Sequence, residues 1–141
     1  MISKRFITSL LFSAAIMCAA SYLWHGVLLS DFARLNRSKT KLLFLSLTIS
    51  LIIAFVMIKL YEFEIMEKYF KRNPLLRGLI VGAVCGILFY FISKLIGFSY
   101  DSSNNIKHSL VDLVWQVFEQ SLGGIVIGMV FIALYDPDVE D

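Results

Sequence analysis

The residue in this sequence best placed to do chemistry is a glutamate inside an apolar stretch. Glu119 follows Trp115, Gln116 and Phe118, and a run of apolar residues and glycines continues from it to Tyr135. A charged, unpaired carboxylate is costly in hydrocarbon, so such a residue faces a bundle interior or a hydrated cavity. At helical spacing Asp112, Gln116, Glu119 and Gly123 share one face. The obvious partner is His25, because Ala14, Cys18, Ser21 and His25 form a stripe that grows more polar toward the end of the first apolar stretch. A His–Glu pair lets both groups stay polar at low cost and can pass a proton. The plainer reading of the same pair is a hydrogen bond between helices, worth roughly 0.6–2 kcal/mol and serving only packing. Asp112 has its own plain explanation as the acid of a capping box; Glu119 has none.

Four long apolar stretches must position these groups: Phe6–Leu29, Leu42–Tyr61, Leu75–Phe98 and Leu113–Tyr135. Each has the roughly 20 residues needed to cross a hydrocarbon core about 30 Å thick. They are continuously apolar rather than alternating, and too long for barrel strands, so backbone satisfaction in lipid makes them helices. The expected fold is all-α: one domain over residues 1–141, four transmembrane helices in an antiparallel bundle with short loops. Composition agrees, with 58% hydrophobic and 17% charged residues against about 25% charged in soluble domains. Lys4 and Arg5 precede the first stretch and Cys18-Ala19-Ala20 resembles a signal cleavage site. The apolar run continues through Trp24 to Leu29, too long for a signal h-region, so an uncleaved first span is expected. Ala15-Ile16-Met17 before Cys18 makes a poor lipoprotein box.

Helix ends are punctuated. Ser38 or Thr40 suits the cap of the second helix, Asn73-Pro74 the start of the third, and Lys94 with Gly97 its end. Ser109-Leu110-Val111-Asp112 reads as a capping box opening the fourth helix, which Asp136-Pro137 closes. Beyond Tyr61, Glu64/Lys68 and Glu67/Lys71 stand in the favourable i,i+4 order, with Phe63, Met66 and Phe70 between them. A helical extension or an amphipathic turn on the membrane surface is expected there. Trp24, Trp115, Tyr22, Tyr61, Tyr69, Tyr90 and Tyr135 cluster near span ends, as interfacial anchors do.

The glycines form a second pattern. Gly78, Gly82 and Gly86 recur every four residues, as do Gly124 and Gly128. Such stripes let helix backbones approach closely, here between the third and fourth helices, with a homodimer face as the alternative. Cys18 and Cys85 fall mid-span at a spacing unlike any redox or metal motif, and no disulfide is expected. Two histidines without ligand spacing predict neither metal nor cofactor. Nucleotide-binding, hydrolase and zincin motifs are absent, and so is a basic nucleic-acid stripe.

Orientation is weakly encoded. With four spans, one side holds Lys4, Arg5, Lys59, Lys68, Lys71, Arg72 and Arg77, the other Arg34, Arg37, Lys39, Lys41, Lys94 and Lys107. The near balance leaves Lys4 and Arg5, and the polar Ser99–His108 connection, to favour cytoplasmic termini in a bacterial inner membrane. Asn36-Arg37-Ser38 is a glycosylation sequon read as chance. The expected function is that of a small non-enzymatic membrane protein, an accessory subunit, homo-oligomer or part of a larger complex. The alternative is a proton-coupled transporter of small molecules with Glu119 as its proton site. In span count and weak charge bias the chain resembles the small multidrug-resistance exporters. It departs from them in carrying the acid on the last span, where they place it on the first.

Overall fold

The computed structural model describes residues 3–29, 38–96 and 106–134. Arg34, Asn36, Arg37, Gly97, Phe98, the connection as far as Asn105, Tyr135 and Asp136-Pro137 lie outside these. The described residues are almost entirely helical. Helix α1 spans Lys4–Ser21 and runs straight into a π-helical segment, Tyr22–Leu28. Helix α2 spans Lys39–Tyr61, the short α3 Glu64–Phe70, α4 Pro74–Leu95 and α5 Ile106–Ala133. Four of these units, 22 to 28 residues long, are apolar enough to cross a membrane.

Their outer faces are apolar to a degree no water-facing bundle shows. Phe12, Phe44, Leu88, Phe91, Val114 and Phe118 are each at least half exposed or close to it. Soluble monomers rarely expose contiguous apolar patches beyond a few hundred Å². The chain is an integral, multi-pass membrane protein.

Three features of the helix ends differ from expectation. α5 begins at Ile106, so the span expected from Leu113 starts two turns early, and Ser109 and Asp112 lie inside the helix rather than at its cap. Contacts from α4 explain the change: the Tyr90 hydroxyl donates to the Ser109 carbonyl at 2.8 Å, and Lys94 Nζ lies 3.5 Å from Ser109 Oγ. A local capping signal is thereby overridden by tertiary partners. Second, the chain breaks after Tyr61: α3 is a separate helix, with Met66 and Phe70 half-buried but Phe63, Ile65 and Tyr69 exposed. Third, Tyr61 is not an interfacial anchor. It is buried, donating to the Pro74 carbonyl at 3.3 Å, with the Arg77 guanidinium 4.3 Å above its ring and Phe131 4.8 Å away. Arg77 also donates to the Tyr61 carbonyl, fixing the end of α2 to the start of α4.

Other ends match. Asn73 precedes Pro74 at the first helical position, and its side chain accepts from the Leu76 N–H at 3.4 Å. Ser38 occupies the N-cap of α2, without a side-chain hydrogen bond.

Glycine makes the closest contact in the bundle. A Cβ on Gly78 would collide with the Gly124 backbone, and one on Gly82 with the Gln120 carbonyl. One on Gly86 would lie 2.7 Å from Val117 Cα, and one on Gly128 2.6 Å from the Pro74 carbonyl oxygen. Contact numbers fall along α5 as they rise along α4, so these two helices run in opposite senses. The α1–α5 pairing does likewise. Arg5 Nε donates to the Leu134 carbonyl at 2.6 Å, Ser13 Oγ to the Gly123 carbonyl at 3.0 Å, and Trp24 stacks on Trp115 at 4.4 Å.

The bundle therefore has two ends. The basal end carries Ser3, Tyr61, Pro74 and Leu134; the open end carries Leu29, Ser38, Ile96 and Ile106. An apolar core fills the basal half and the middle: Met17, Ile53, Ala54, Met57, Ile58, Tyr61, Val81, Cys85 and Ile127. Both cysteines are free thiols, Cys85 buried and Cys18 half-buried.

The α4–α5 geometry is testable. Gly82→Leu, which must drive a side chain into the α5 backbone, should cost about 2 kcal/mol or more, as overpacking does. Thermal unfolding in detergent should show a clear fall in Tm, whereas lipid-facing Leu88→Ala should leave it nearly unchanged.

Candidate functional site

The open half of the bundle carries a partly open cavity with polar groups on its wall. Its volume is about 120 Å³, and all four membrane-crossing units contribute to its wall. Ser21 and His25 come from the α1 unit, Asp112, Gln116 and Glu119 from α5. The α2 wall supplies Ser46 and Ser50 beside Ile49 and Ile53. The α4 wall supplies Tyr90, Ser93 and Lys94 beside Phe89.

Each helix reaches the cavity for a local reason. Along α5, Asp112, Gln116 and Glu119 follow the i, i+4, i+7 rhythm that keeps side chains on one face. On α2, Ser46, Ile49, Ser50 and Ile53 follow the same rhythm in an otherwise apolar helix, and both serines are buried. In α1 the helix widens over Tyr22–Leu28, where the Leu29 N–H bonds to the Trp24 carbonyl five residues back at 2.8 Å. Widening changes how many residues make a turn. Even so, Ser21 and His25 both remain on the cavity wall. Single π-helical turns inside longer helices occur often at functional sites.

Glu119 is the deepest acid. It lies halfway along α5 and is only 5% exposed. The Trp115 indole, one turn earlier, leans toward its carboxyl, at a geometry short of a full hydrogen bond: Nε1 has no hydrogen-bond partner among the described residues. Trp115 is held by its stack on Trp24, with ring planes only 9° apart. At the mouth, Lys94 is occupied from two directions, near Ser109 Oγ and 5.8 Å from the Tyr90 ring. The wall thus combines two acids, a histidine, a tethered ammonium and a set of hydroxyls around a space the size of a few water molecules.

The residues singled out from the sequence fall into two groups. His25, Ser21, Asp112, Gln116 and Glu119 all line this cavity. Gly78, Gly82, Gly86, Gly124 and Gly128 lie instead at the α4–α5 contact, while Gly123 faces α1, where a Cβ would meet Met17 Sδ at 2.7 Å. Sequence reasoning missed Ser46, Ser50, Tyr90, Ser93 and Lys94 as cavity residues. The i,i+4 serines of α2 were a usable signal; Tyr90 and Lys94 looked only like helix-end residues. It also missed Gln120, fully buried beside Glu119. Among the described residues no group of three or more potential ligands could hold a metal ion.

No family model, curated protein or solved structure matches this chain. Its site is read from its own geometry.

A carboxyl kept for packing and one kept for function respond differently to removal. Glu119→Leu keeps the volume and deletes the polar group, so the melting temperature in detergent should stay level or rise by a few degrees. A packing role would instead show a loss of roughly 0.6–2 kcal/mol.

Proposed function

We propose that this chain is a non-enzymatic membrane protein that moves protons together with a small polar solute, with Glu119 as the intramembrane proton site and His25 as its partner. The observation carrying this reading is the cavity itself: a nearly buried carboxyl at mid-membrane depth, on the wall of a polar space that also holds His25, Asp112 and Gln116. Ionisable side chains within membrane spans are expensive and commonly mark ion or substrate pathways. A histidine across a small space from a carboxyl supplies a second group able to carry a proton. The pair exchanges a proton directly or through one water. A space of about 120 Å³ suits a solute of a few heavy atoms. Its two acids favour a neutral polar or cationic solute over an anion.

A second reading is supported by the outer surface. Trp24 and Trp115 floor an apolar groove of about 390 Å³, bordered by Leu110, Val111, Val114 and Phe118. Such a groove suits lipid chains or a neighbouring helix, as in an accessory subunit, a homo-oligomer or a larger membrane complex. The membrane is a bacterial inner membrane, with both termini in the cytoplasm. Supporting that side are Lys4 and Arg5 before the first span.

Proteoliposomes carrying a lumenal pH dye test the leading reading. Under a potassium diffusion potential, wild-type protein should pass protons at least ten times faster than Glu119→Gln, while the two melt within a few degrees of each other. Equal fluxes from two folded proteins would sink it. Mass spectrometry of the natively purified protein would then separate homo-oligomer from subunit.

A further inference from the structure

The short helix between the second and third crossing units presents an apolar side that the bundle leaves uncovered. Along α3, Glu64–Phe70, side chains four apart share a row. Met66 packs against the apolar core, and Phe70 is half-buried. Ile65 and Tyr69, one position before each, are more than half exposed, as is Phe63 at the N-cap. Glu64 with Lys68, and Glu67 with Lys71, form exposed charged rows. The two apolar rows adjoin in an arc of roughly 140° at 3.6 residues per turn, and the charges fill the opposite side. The bundle uses only half of that arc.

Short connections hold α3 at the membrane boundary. α2 ends at Tyr61 and α4 begins at Pro74, and the Tyr61 hydroxyl donates to the Pro74 carbonyl at 3.3 Å, so these two ends lie side by side. Only Glu62-Phe63 lead into α3, and only Lys71-Arg72-Asn73 lead out. Both connections are folded into turns: the Phe63 N–H donates to the Leu60 carbonyl at 3.3 Å, and the Asn73 N–H to the Phe70 carbonyl at 3.0 Å. Three residues reach about 10 Å at most, so α3 cannot leave the ends of the spans it joins. Lys59 and Glu62 pair there at 3.4 Å, as charged side chains near span ends do at the headgroup level. Leu75 and Leu76, in the first turn of α4, are exposed apolar residues within the same reach. The uncovered row of α3 thus lies beside the lipid-facing surface of the spans.

We infer that α3 is an interfacial helix whose partner is the phospholipid surface of the basal leaflet. It lies in the plane of the membrane, with Phe63, Ile65 and Tyr69 sunk among the headgroups and the upper acyl chains, and with Glu64, Glu67, Lys68 and Lys71 toward water. Amphipathic helices bind membranes in this way, their apolar face about 5–10 Å into the boundary. A tyrosine, apolar in its ring and polar at its tip, suits that depth. A protein partner fits less well. A helix about 10 Å long with three uncovered side chains falls short of the roughly 800 Å² per partner that a stable protein interface buries. By anchoring the basal end, α3 sets the height at which the bundle, and Glu119 within it, sits in the membrane. The inference goes beyond the proton-site reading and holds whether or not Glu119 carries protons.

Spin-label accessibility of the full chain in liposomes of phosphatidylcholine and phosphatidylglycerol tests this. Labels go on Ile65→Cys, Tyr69→Cys, Glu64→Cys and Lys68→Cys, each made singly in a Cys18→Ala/Cys85→Ala background that melts with the wild type. All four positions are exposed, so none of these changes opens the core. Cys85 is buried and can stay in place if its removal lowers the melting temperature. Dissolved oxygen concentrates in lipid and a nickel chelate in water. The oxygen-to-nickel collision ratio at the first two positions should be roughly five times that at the last two. Four labels that all favour the nickel chelate mean that α3 stands in water, which overturns the inference. Labels at the first two positions closed to both reagents mean that protein covers the face, which overturns it as well.

Discussion

The backbone contact between α4 and α5 is the constraint on which the rest of this molecule depends. Lipid gives helices no hydrophobic reason to associate, so close packing must supply the attraction. Gly78, Gly82 and Gly86 against Gly124, Gly128 and the Gln120 carbonyl let these two helices meet without intervening side chains. That clamp fixes the rotation of α5. With one side of α5 committed to α4, Gly123 and Ser13 form a second close contact, on α1. The face carrying Asp112, Gln116 and Glu119, which Gly123 continues one turn on, then lines the cavity. The cavity's position follows from how the glycines orient α5.

Contacts outside that clamp explain why the bundle is apolar at one end and carries a cavity with polar groups at the other. At the basal end α2 is pinned to α4 by Arg77 and Tyr61, and Ile53, Ala54, Met57 and Ile58 fill the interior. Toward the open end the facing residues of α2 are Ser46 and Ser50, too small to fill the same gap. Tyr90 and Lys94 are drawn toward Ser109 on α5. Each of the four walls of the space that this leaves carries polar groups, beside Ile49, Ile53 and Phe89. Polar groups are what lets a cavity hold water, whereas a wholly apolar one of equal size stays empty.

Much of this was legible in the chain, and the unread part has physical causes. Span length and continuous apolarity settle the number of crossing helices, because lipid permits few alternatives for an unpaired backbone. Helical phase put Asp112, Gln116 and Glu119 on one face of α5, and all three lie on the cavity wall, since the spacing of side chains around a helix is set locally. The start of α5 was misread because Ser109-Leu110-Val111-Asp112 carries a genuine cap signal, and only the hydrogen bonds from Tyr90 and Lys94 show why it goes unused. The π-helical segment after Ser21 has no local signature; Trp24, which stacks on Trp115, lies within it. Tyr61 looked like an anchor because span ends favour tyrosine at the interface, yet Arg77, sixteen residues away, draws it inward.

Glu119 and Gln120 stand side by side on α5, in different surroundings. One lines the cavity with ionisable neighbours; the other is fully buried, with no hydrogen-bond partner among the described residues. Leucine at either position would satisfy the packing, and a membrane interior selects strongly for that substitution wherever polarity has no use. Two adjacent polar residues at mid-membrane depth, on two neighbouring faces of one helix, are difficult to account for as packing alone. A single polar contact explains at most one of them.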